Sequence, residues 1–155
     1  MSISFSEDEK LIVEKIQSYC LYQERCIKEV KNKLFLFKVS PKFVNDLIKH
    51  LIENDYVNEE RFSEMFIQGK LRIKKWGRIK LKYELKLKGI DAKIIDAKIN
   101  KIREEEYLNY FNQFSRKKIK LLKGTNNQKK ISFINYFTYR GWEKSLIYEK
   151  LKDIN

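Results

Sequence analysis

The stretch that decides the fold is residues 77–90, which read GRIKLKYELKLKGI. Apolar and charged side chains alternate almost perfectly from Ile79 to Leu87. A period of two is typical of a β-strand with one lysine face, because alternate side chains of a strand point to opposite sides. Lysine, leucine, arginine and glutamate are also good helix formers. The choice between strand and helix therefore depends on the rest of the chain.

The rest of the chain contains a threefold repeat. Three segments align at offsets of 51 and 52 residues: LFLFKVSPKFVNDLIKHLI (34–52), LKLKGIDAKIIDAKINKI (85–102) and FTYRGWEKSLIYEKLKDI (137–154). Their apolar positions coincide in steps of four and then three, which is one stripe of an α-helix. The matched positions are Val44, Ile95 and Ile147, then Ile48, Ile99 and Leu151, then Leu51, Ile102 and Ile154. Each copy therefore contains an amphipathic helix at an equivalent place.

The starts of these three helices carry suitable residues. Ser40 supplies an N-cap, and Pro41 follows at the first helical position, where its missing N–H does no harm. Asp91 and Glu143 lie near the two matching starts, where negative charge suits the helix dipole.

A first helix is predicted at the start of each copy, within residues 7–20, 59–73 and 104–121. The side chains expected to face inward are Leu11, Ile12, Ile16 and Cys20; Phe62, Met65, Phe66 and Ile73; and Tyr107, Leu108, Phe111 and Phe114. Residues 77–90 occupy the middle position of the second copy. Their counterpart in the third copy, KKISFINYFTYRGW (129–142), does not alternate. A lone strand would leave its backbone unpaired, so we predict a helix here, with Gly89 at its C-terminal end.

These observations predict an all-α protein. Five glycines and one proline in 155 residues suit helices joined by short turns. We expect a single domain over residues 1–155, built from three tandem three-helix repeats at about 7–55, 56–103 and 104–155. A chain of this length can bury a sufficient core without a disulfide or a metal.

Charge is distributed unevenly along the chain, whose formal net charge is +13. Residues 1–62 carry 10 basic and 11 acidic residues, whereas residues 63–155 carry 24 and 10. This asymmetry indicates that the later repeats face a polyanion or an acidic protein groove. The alternative is a lysine-rich solvated surface with no partner.

The sequence lacks the patterns that an enzyme or a metalloprotein requires. His50 is the only histidine, and no phosphate-binding loop, nucleophile elbow or zinc-protease motif occurs. Cys20 and Cys26 are six residues apart and are interpreted as reduced thiols in a cytoplasmic protein. We expect no catalysis, no cofactor and no metal. No signal peptide or membrane-spanning run is visible in the sequence.

Residues 54–91, NDYVNEERFSEMFIQGKLRIKKWGRIKLKYELKLKGID, resemble the central block of the RecX family of recombination regulators. The matching features are Tyr56-Val57, Glu59-Glu60-Arg61-Phe62, Lys70, Arg72, Trp76-Gly77-Arg78-Ile79, Glu84-Leu85 and Lys88-Gly89-Ile90. The threefold layout extends the resemblance over nearly the whole chain. The outer copies match mainly in their apolar pattern.

The resemblance implies three helix-turn-helix-like repeats arranged as an elongated, curved array. It also implies a partner, the filament of RecA recombinase on single-stranded DNA, and no catalytic role. Proteins of this family dampen the filament's ATP hydrolysis, strand exchange and co-protease activities. We expect a monomer that binds no membrane and regulates this filament. The alternative is an independent, sequence-tolerant DNA-binding protein with a helix-turn-helix-like copy on DNA.

Two basic segments supply the candidate contacts with RecA, or with single- or double-stranded DNA. Residues 70–88 contain nine basic residues and one acidic residue, and residues 116–130 contain seven basic residues and none that is acidic. The candidates are Lys70, Arg72, Lys74, Lys75, Arg78, Lys80 and Lys82, together with Arg116, Lys117, Lys118 and Lys120. Arg72 and Arg78 are favoured because guanidinium binds carboxylate or phosphate in a bidentate manner. Trp76 is expected either to pack in the core or to stack at an interface.

Overall fold

The computed structural model describes residues 3–155, and every regular element in this part of the chain is a helix. The elements are α1 (Glu7–Tyr22), α2 (Ile27–Phe35), α3 (Pro41–Glu53), α4 (Glu59–Arg72), α5 (Arg78–Leu87), α6 (Ala92–Asn100), α7 (Glu104–Leu121), α8 (Asn126–Tyr139), α9 (Lys144–Lys150) and a final 3-10 turn, Leu151–Asp153. The all-α prediction is confirmed. None of these helices combines the length and the apolar character needed to cross a membrane.

Helix α5 resolves the ambiguity of the alternating segment in favour of a helix. Its five alternating apolar residues divide into two stripes, because residues four apart share one face of a helix. Leu81 and Leu85 are completely buried. Ile79, Tyr83 and Leu87 lie on another face and are 55%, 59% and 48% exposed. The alternation therefore encodes one core-facing stripe and one solvent-facing apolar stripe.

The helix ends follow the expected capping rules. The Ser40 hydroxyl accepts a hydrogen bond from the Phe43 N–H at 3.2 Å, and the Asp91 carboxylate accepts one from the Lys93 N–H at 2.7 Å. Glu143 also occupies an N-cap position, before α9, but its carboxylate makes no capping hydrogen bond. It bonds instead to side chains of other helices.

The predicted inward faces of the first helices are correct in part. The buried predicted residues are Ile16, Cys20, Phe62, Tyr107, Phe111 and Phe114. The prediction is wrong for Leu11 and Met65, which are exposed, whereas Val13 and Ile67 two residues later are buried. Two residues correspond to about 200° around a helix, so each of these side chains points away from the core. Ile73 is also exposed, because α4 ends before it.

The helices enclose two hydrophobic cores rather than three. Apolar side chains of α1, α2 and α3 form the first core, which ends at Val57. Side chains of α4 to α9 form one continuous second core, to which Cys26 of the preceding segment also belongs. The second and third three-helix groups are therefore fused through their interiors.

The junction between the first group and the remainder is largely polar. Arg61 Nε lies 2.6 Å from Glu24 Oε1, and Lys88 Nζ lies 3.2 Å from Glu29 Oε2. Cys26 is the apolar exception, since it inserts into the second core. The first group is thus attached mainly by ion pairs around a small apolar contact.

Both cysteines are free and buried. Burial raises the pKa of the Cys20 thiol to about 11 and also raises the pKa of Cys26. Since the thiolate is the reactive form, both side chains remain protonated and unreactive near neutral pH.

Candidate functional site

Two glycines bring the second and third groups into backbone contact. The Gly77 N–H donates to the Arg140 carbonyl at 2.8 Å, and the Ile79 N–H donates to the Gly141 carbonyl at 3.0 Å. A Cβ atom on Gly77 would lie 2.5 Å from the Gly141 carbonyl oxygen. Gly141 has φ +82°, a conformation that other residues rarely adopt. This close approach fixes the start of α5 against the third group.

A buried polar network reinforces the same junction. The Tyr107 hydroxyl donates to Glu143 Oε1 at 2.6 Å and accepts from the backbone N–H of Arg78 at 2.8 Å. The Arg78 guanidinium pairs with Glu104 at 2.5 Å and with Glu143 at 3.3 Å. Its central carbon also lies 3.7 Å from the centre of the Tyr107 ring. Burial, followed by the hydrogen bond to Glu143, raises the pKa of the Tyr107 phenol, which therefore stays protonated.

This network gives Arg78 a structural role in addition to the partner contact expected for it. Both ends of its guanidinium are occupied by carboxylates of the same chain, and the side chain is 23% exposed. An arginine held in this way keeps few free N–H donors for a carboxylate or phosphate of a partner, and the partner contact of Arg78 stays a prediction. Arg78 is therefore a positioning residue that holds α5 against α7 and α9.

The connection between α4 and α5 is also anchored to the third group. The buried Trp142 indole N–H donates to the carbonyl oxygen of Lys75 at 2.8 Å. Lys75 has φ 61°, and its ammonium lies 5.6 Å from the centre of the Phe114 ring of α7. The backbone bond therefore directs the Lys75 side chain towards α7.

Lysines and aromatic rings alternate across the surface formed by α4, α5 and α8. The Lys70 ammonium lies 5.2 Å from the centre of the Trp76 ring, and that of Lys80 lies 5.0 Å from it. Lys80 also lies 4.2 Å from the Tyr139 ring. Trp76 is half-buried and packs edge-on against Phe66 of the second core. It therefore packs against the core and also holds two cations at the surface, while its stacking at an interface stays a prediction.

The second basic segment runs from the C-terminal half of α7 into the start of α8, and its four candidate residues lie on α7. The Lys118 ammonium lies 4.2 Å from the centre of the Tyr136 ring, and the Arg140 guanidinium carbon lies 3.6 Å from it. Phe114, which Lys75 contacts, is one helical turn before Lys118. The two basic segments thus approach each other at α7.

Almost all the candidate cations lack an internal counter-ion. Within residues 3–155, Arg78 is the only candidate that forms an ion pair. The others are Lys70, Arg72, Lys74, Lys75, Lys80, Lys82, Arg116, Lys117, Lys118 and Lys120. Unneutralised charge of one sign over neighbouring helices creates a positive potential that attracts anionic partners. We call these ten residues the basic surface.

The sequence analysis did not identify three features of this surface. Tyr139 and Arg140 join it from α8, although they lie outside both basic segments. The exposed stripe of Ile79, Tyr83 and Leu87 borders it on α5. The stripe could have been found from the i, i+4 spacing of these residues, whereas the α8 contacts depend on tertiary packing.

Comparison with known proteins identifies the family. Residues 58–99 match the family model for RecX, second three-helix domain. Over 132 residues the chain is 33% identical to the regulatory protein RecX of Clostridium acetobutylicum, covering 82% of this chain and 61% of that protein. The chain belongs to the RecX family. The matched model covers α4 to α6, the group that contains the alternating segment.

The family also extends to more distant relatives. The regulatory protein RecX of Chlorobium phaeobacteroides strain BS1 is 28% identical over 132 residues, with 85% of each chain covered. The chain spans only 39% of the relative from Lactobacillus johnsonii, with 31% identity. The crystal structure of RecX from Lactobacillus salivarius superposes with a TM-score of 0.79 at 18% identity, covering 97% of this chain and 98% of that chain. The fold is therefore that of RecX proteins.

The described residues offer no set of metal ligands. No group of three or more His, Cys, Asp or Glu side chains converges within residues 3–155. The relatives are named regulatory proteins.

Proposed function

We propose that this chain binds the RecA filament on single-stranded DNA and inhibits its ATPase, strand-exchange and co-protease activities. Membership of a family of regulatory proteins supports a regulatory role. We further propose that it acts in the cytoplasm as a monomer without catalysis, and that repeats 7–55, 56–103 and 104–155 form one domain.

The observation that carries this proposal is the exposed apolar stripe of α5 beside the basic surface. Ile79, Tyr83 and Leu87 keep about half of their surface in water. Phosphate groups would not bury these side chains, whereas the interface of a protein partner would. Adjacent unpaired cations such as Arg72 and Lys82 suit an acidic rim around such an interface. The combination therefore favours an acidic protein surface over nucleic acid alone.

The fusion of the second and third groups supports binding to an assembly rather than to a single molecule. The glycine contact and the Tyr107 network connect α5, α7 and the start of α9, and so hold the cations of α5 and α7 in one arrangement. A rigid surface that touches two neighbouring subunits stabilises one filament geometry over others, and so changes the populations of filament states. A small protein can regulate a large assembly in this way.

A second candidate function is independent DNA binding. Alternating lysines and aromatic rings, as in Lys70, Trp76, Lys80 and Tyr139, suit the backbone and the bases of single-stranded DNA. An independent binder would bind bare DNA tightly. The filament regulator would require the recombinase for high affinity.

The test is the single-stranded-DNA-dependent ATPase of the cognate RecA, measured while this protein is added. We expect inhibition at well below one molecule per recombinase subunit. The variant Arg72→Glu/Lys82→Glu should require at least about tenfold more protein, since it reverses two unpaired charges of the basic surface. The variant Lys93→Glu/Lys144→Glu makes the same change in net charge elsewhere and should inhibit like the wild type.

The results of this experiment test the proposed function and the proposed contact surface separately. Equal inhibition by both variants would retain the function but reject the basic surface as the contact. Absence of any effect on ATPase, together with tight binding to bare DNA, would favour the second candidate function.

A further inference from the structure

A groove outside the basic surface lies in the first three-helix group, between α1 and the turn that follows α2. Its cavity volume is about 650 Å³, within the range of clefts that bind small ligands or a few side chains. Leu11, Tyr19, Tyr22 and Phe37 supply its apolar lining. Leu11 and Tyr22 are largely exposed, so the groove leaves substantial apolar surface in water. We call it the α1 groove.

Cations border this apolar lining. The Lys15 ammonium lies 5.7 Å from the centre of the Phe37 ring. The Arg25 guanidinium carbon lies 3.7 Å from the centre of the Tyr19 ring, and the Lys33 ammonium lies 5.4 Å from it. Arg25 is fixed further because its Nε donates to the Tyr19 carbonyl at 3.0 Å. Aromatic faces thus hold the three cations at the groove while leaving most of their N–H donors free.

The groove concentrates positive charge in a region that is otherwise balanced. Residues 1–62 carry 10 basic and 11 acidic residues, and other lysines there, such as Lys10, Lys42 and Lys49, pair with nearby carboxylates. Lys15, Arg25 and Lys33 form no such pair within residues 3–155, and Glu14 is the one acidic side chain of the lining. The groove therefore has cations with unused binding capacity.

A second depression continues the surface on the other side of the same turn. It has a volume of about 500 Å³ and is lined by Phe35, Pro41 and Val44, with Lys31 and Lys38 at its border. Its composition repeats that of the α1 groove, apolar side chains with basic residues beside them. An extended peptide crossing the turn would contact both.

We propose that the α1 groove docks an acidic peptide segment that carries bulky apolar side chains, at a site separate from the basic surface. Carboxylates of such a segment pair with Lys15, Arg25 and Lys33, while its apolar side chains cover Leu11 and Tyr22. A second copy of this chain fits poorly, because two molecules of charge +13 repel each other. Nucleic acid fits less well, because its phosphate groups would not cover the aliphatic side chain of Leu11, which is 61% exposed.

The experiment is fluorescence anisotropy with the full chain and a fluorescein-labelled peptide of sequence DDFDELDDF. The variant Lys15→Glu/Lys33→Glu should weaken binding by about tenfold or more, because it replaces two attractive contacts by repulsive ones. The variant Lys93→Glu/Lys144→Glu makes the same charge change at two exposed lysines outside the first three-helix group and should bind like the wild type. Leu11→Ser/Tyr22→Ser, at two exposed positions that do not support the core, should weaken binding severalfold. Far-UV circular dichroism checks the fold of each variant.

Two further probes identify the kind of ligand. The peptide DDSDESDDS, which keeps the acidic residues, should bind several times more weakly than DDFDELDDF. A labelled oligothymidylate should bind the wild type and Lys15→Glu/Lys33→Glu equally. Equal loss of peptide binding in both charge-reversal variants, or equal binding of the two peptides, would overturn the proposal. A selective loss of oligothymidylate binding in Lys15→Glu/Lys33→Glu would replace the acidic peptide by nucleic acid.

Discussion

Arg72 and Arg78 have the same side chain and lie six residues apart, yet the fold gives them different surroundings. Arg72 ends α4, is exposed and forms no ion pair within the described residues. Arg78 begins α5, stacks on Tyr107 and pairs with two carboxylates. Sequence alone predicted a partner contact for both, because residue type and local charge do not reveal which carboxylates tertiary packing brings near. Glu143 is 65 residues from Arg78.

The hydroxyl of Tyr107 is central to this network, and its removal should destabilise the fold. In Tyr107→Phe, Glu143 loses a hydrogen-bond donor and the Arg78 backbone N–H loses its acceptor. We expect the free energy of unfolding to fall by about 1–2 kcal/mol, because partly buried polar groups are left unpaired. Urea denaturation followed by circular dichroism measures this change.

Tyr83→Phe is the matched control. Tyr83 is exposed on α5, so loss of its hydroxyl should leave the free energy of unfolding nearly unchanged. If the two variants were equally stable, the Tyr107 network would not contribute to the junction.

For the helix α5, secondary structure and the buried face were predictable from the sequence, whereas its tertiary contacts were not. Helix formation was predictable from the repeat, and burial of Leu81 and Leu85 follows from their i, i+4 spacing. The alternation was misleading because it also encodes the second, exposed stripe. What could not be predicted is the contact of Gly77 with Gly141, since no local pattern relates two turns 64 residues apart. The sequence therefore predicts the helices better than it predicts their mutual placement.

Two glycine substitutions should have opposite effects on stability. In Gly77→Ala, the new methyl group would collide with the backbone at Gly141, and we expect a loss of about 2 kcal/mol from overpacking. In Gly69→Ala, nothing lies within 4 Å of the added Cβ, and α4 should gain about 0.5–1 kcal/mol from improved helix propensity.

Thermal and urea denaturation of both variants measures this difference. The Tm of Gly77→Ala should fall below that of the wild type, and the Tm of Gly69→Ala should rise above it. A neutral or stabilising Gly77→Ala would show that α5 and the α8–α9 turn are not in close contact.

In the molecule as a whole, the number of hydrophobic cores differs from the number of sequence repeats. Three aligned copies produce two cores, because the second and third groups share their interior and the first keeps its own. Equivalent apolar stripes predict that each copy contains a core-facing helix. They do not reveal which neighbouring copy completes the core, since this depends on the long-range aromatic contacts of residues such as Trp142.

Because the first three-helix group has its own core, we expect it to unfold locally without unfolding of α4 to α9. Leu47 is completely buried in the first core, and Leu47→Ala should cost about 3 kcal/mol through loss of apolar contacts and formation of a cavity. Native-state hydrogen exchange should then show reduced protection in α1 to α3, with α4 to α9 nearly unchanged. Leu81→Ala, in the second core, should reduce protection throughout α4 to α9. Equal loss of protection in all helices of Leu47→Ala would indicate one cooperative unit.

We propose that this chain recognises a protein filament through the basic surface and the α5 stripe. The most direct test of this proposal is co-sedimentation with preformed filaments of the cognate RecA on single-stranded DNA, beside the same DNA without RecA. We predict that the wild type binds the filament far more tightly than the bare DNA. We also predict that Ile79→Ser/Tyr83→Ser weakens filament binding by about tenfold while leaving DNA binding unchanged. Equal affinity for filament and bare DNA, unaffected by this variant, would show that the chain binds DNA and does not recognise a protein filament through the α5 stripe.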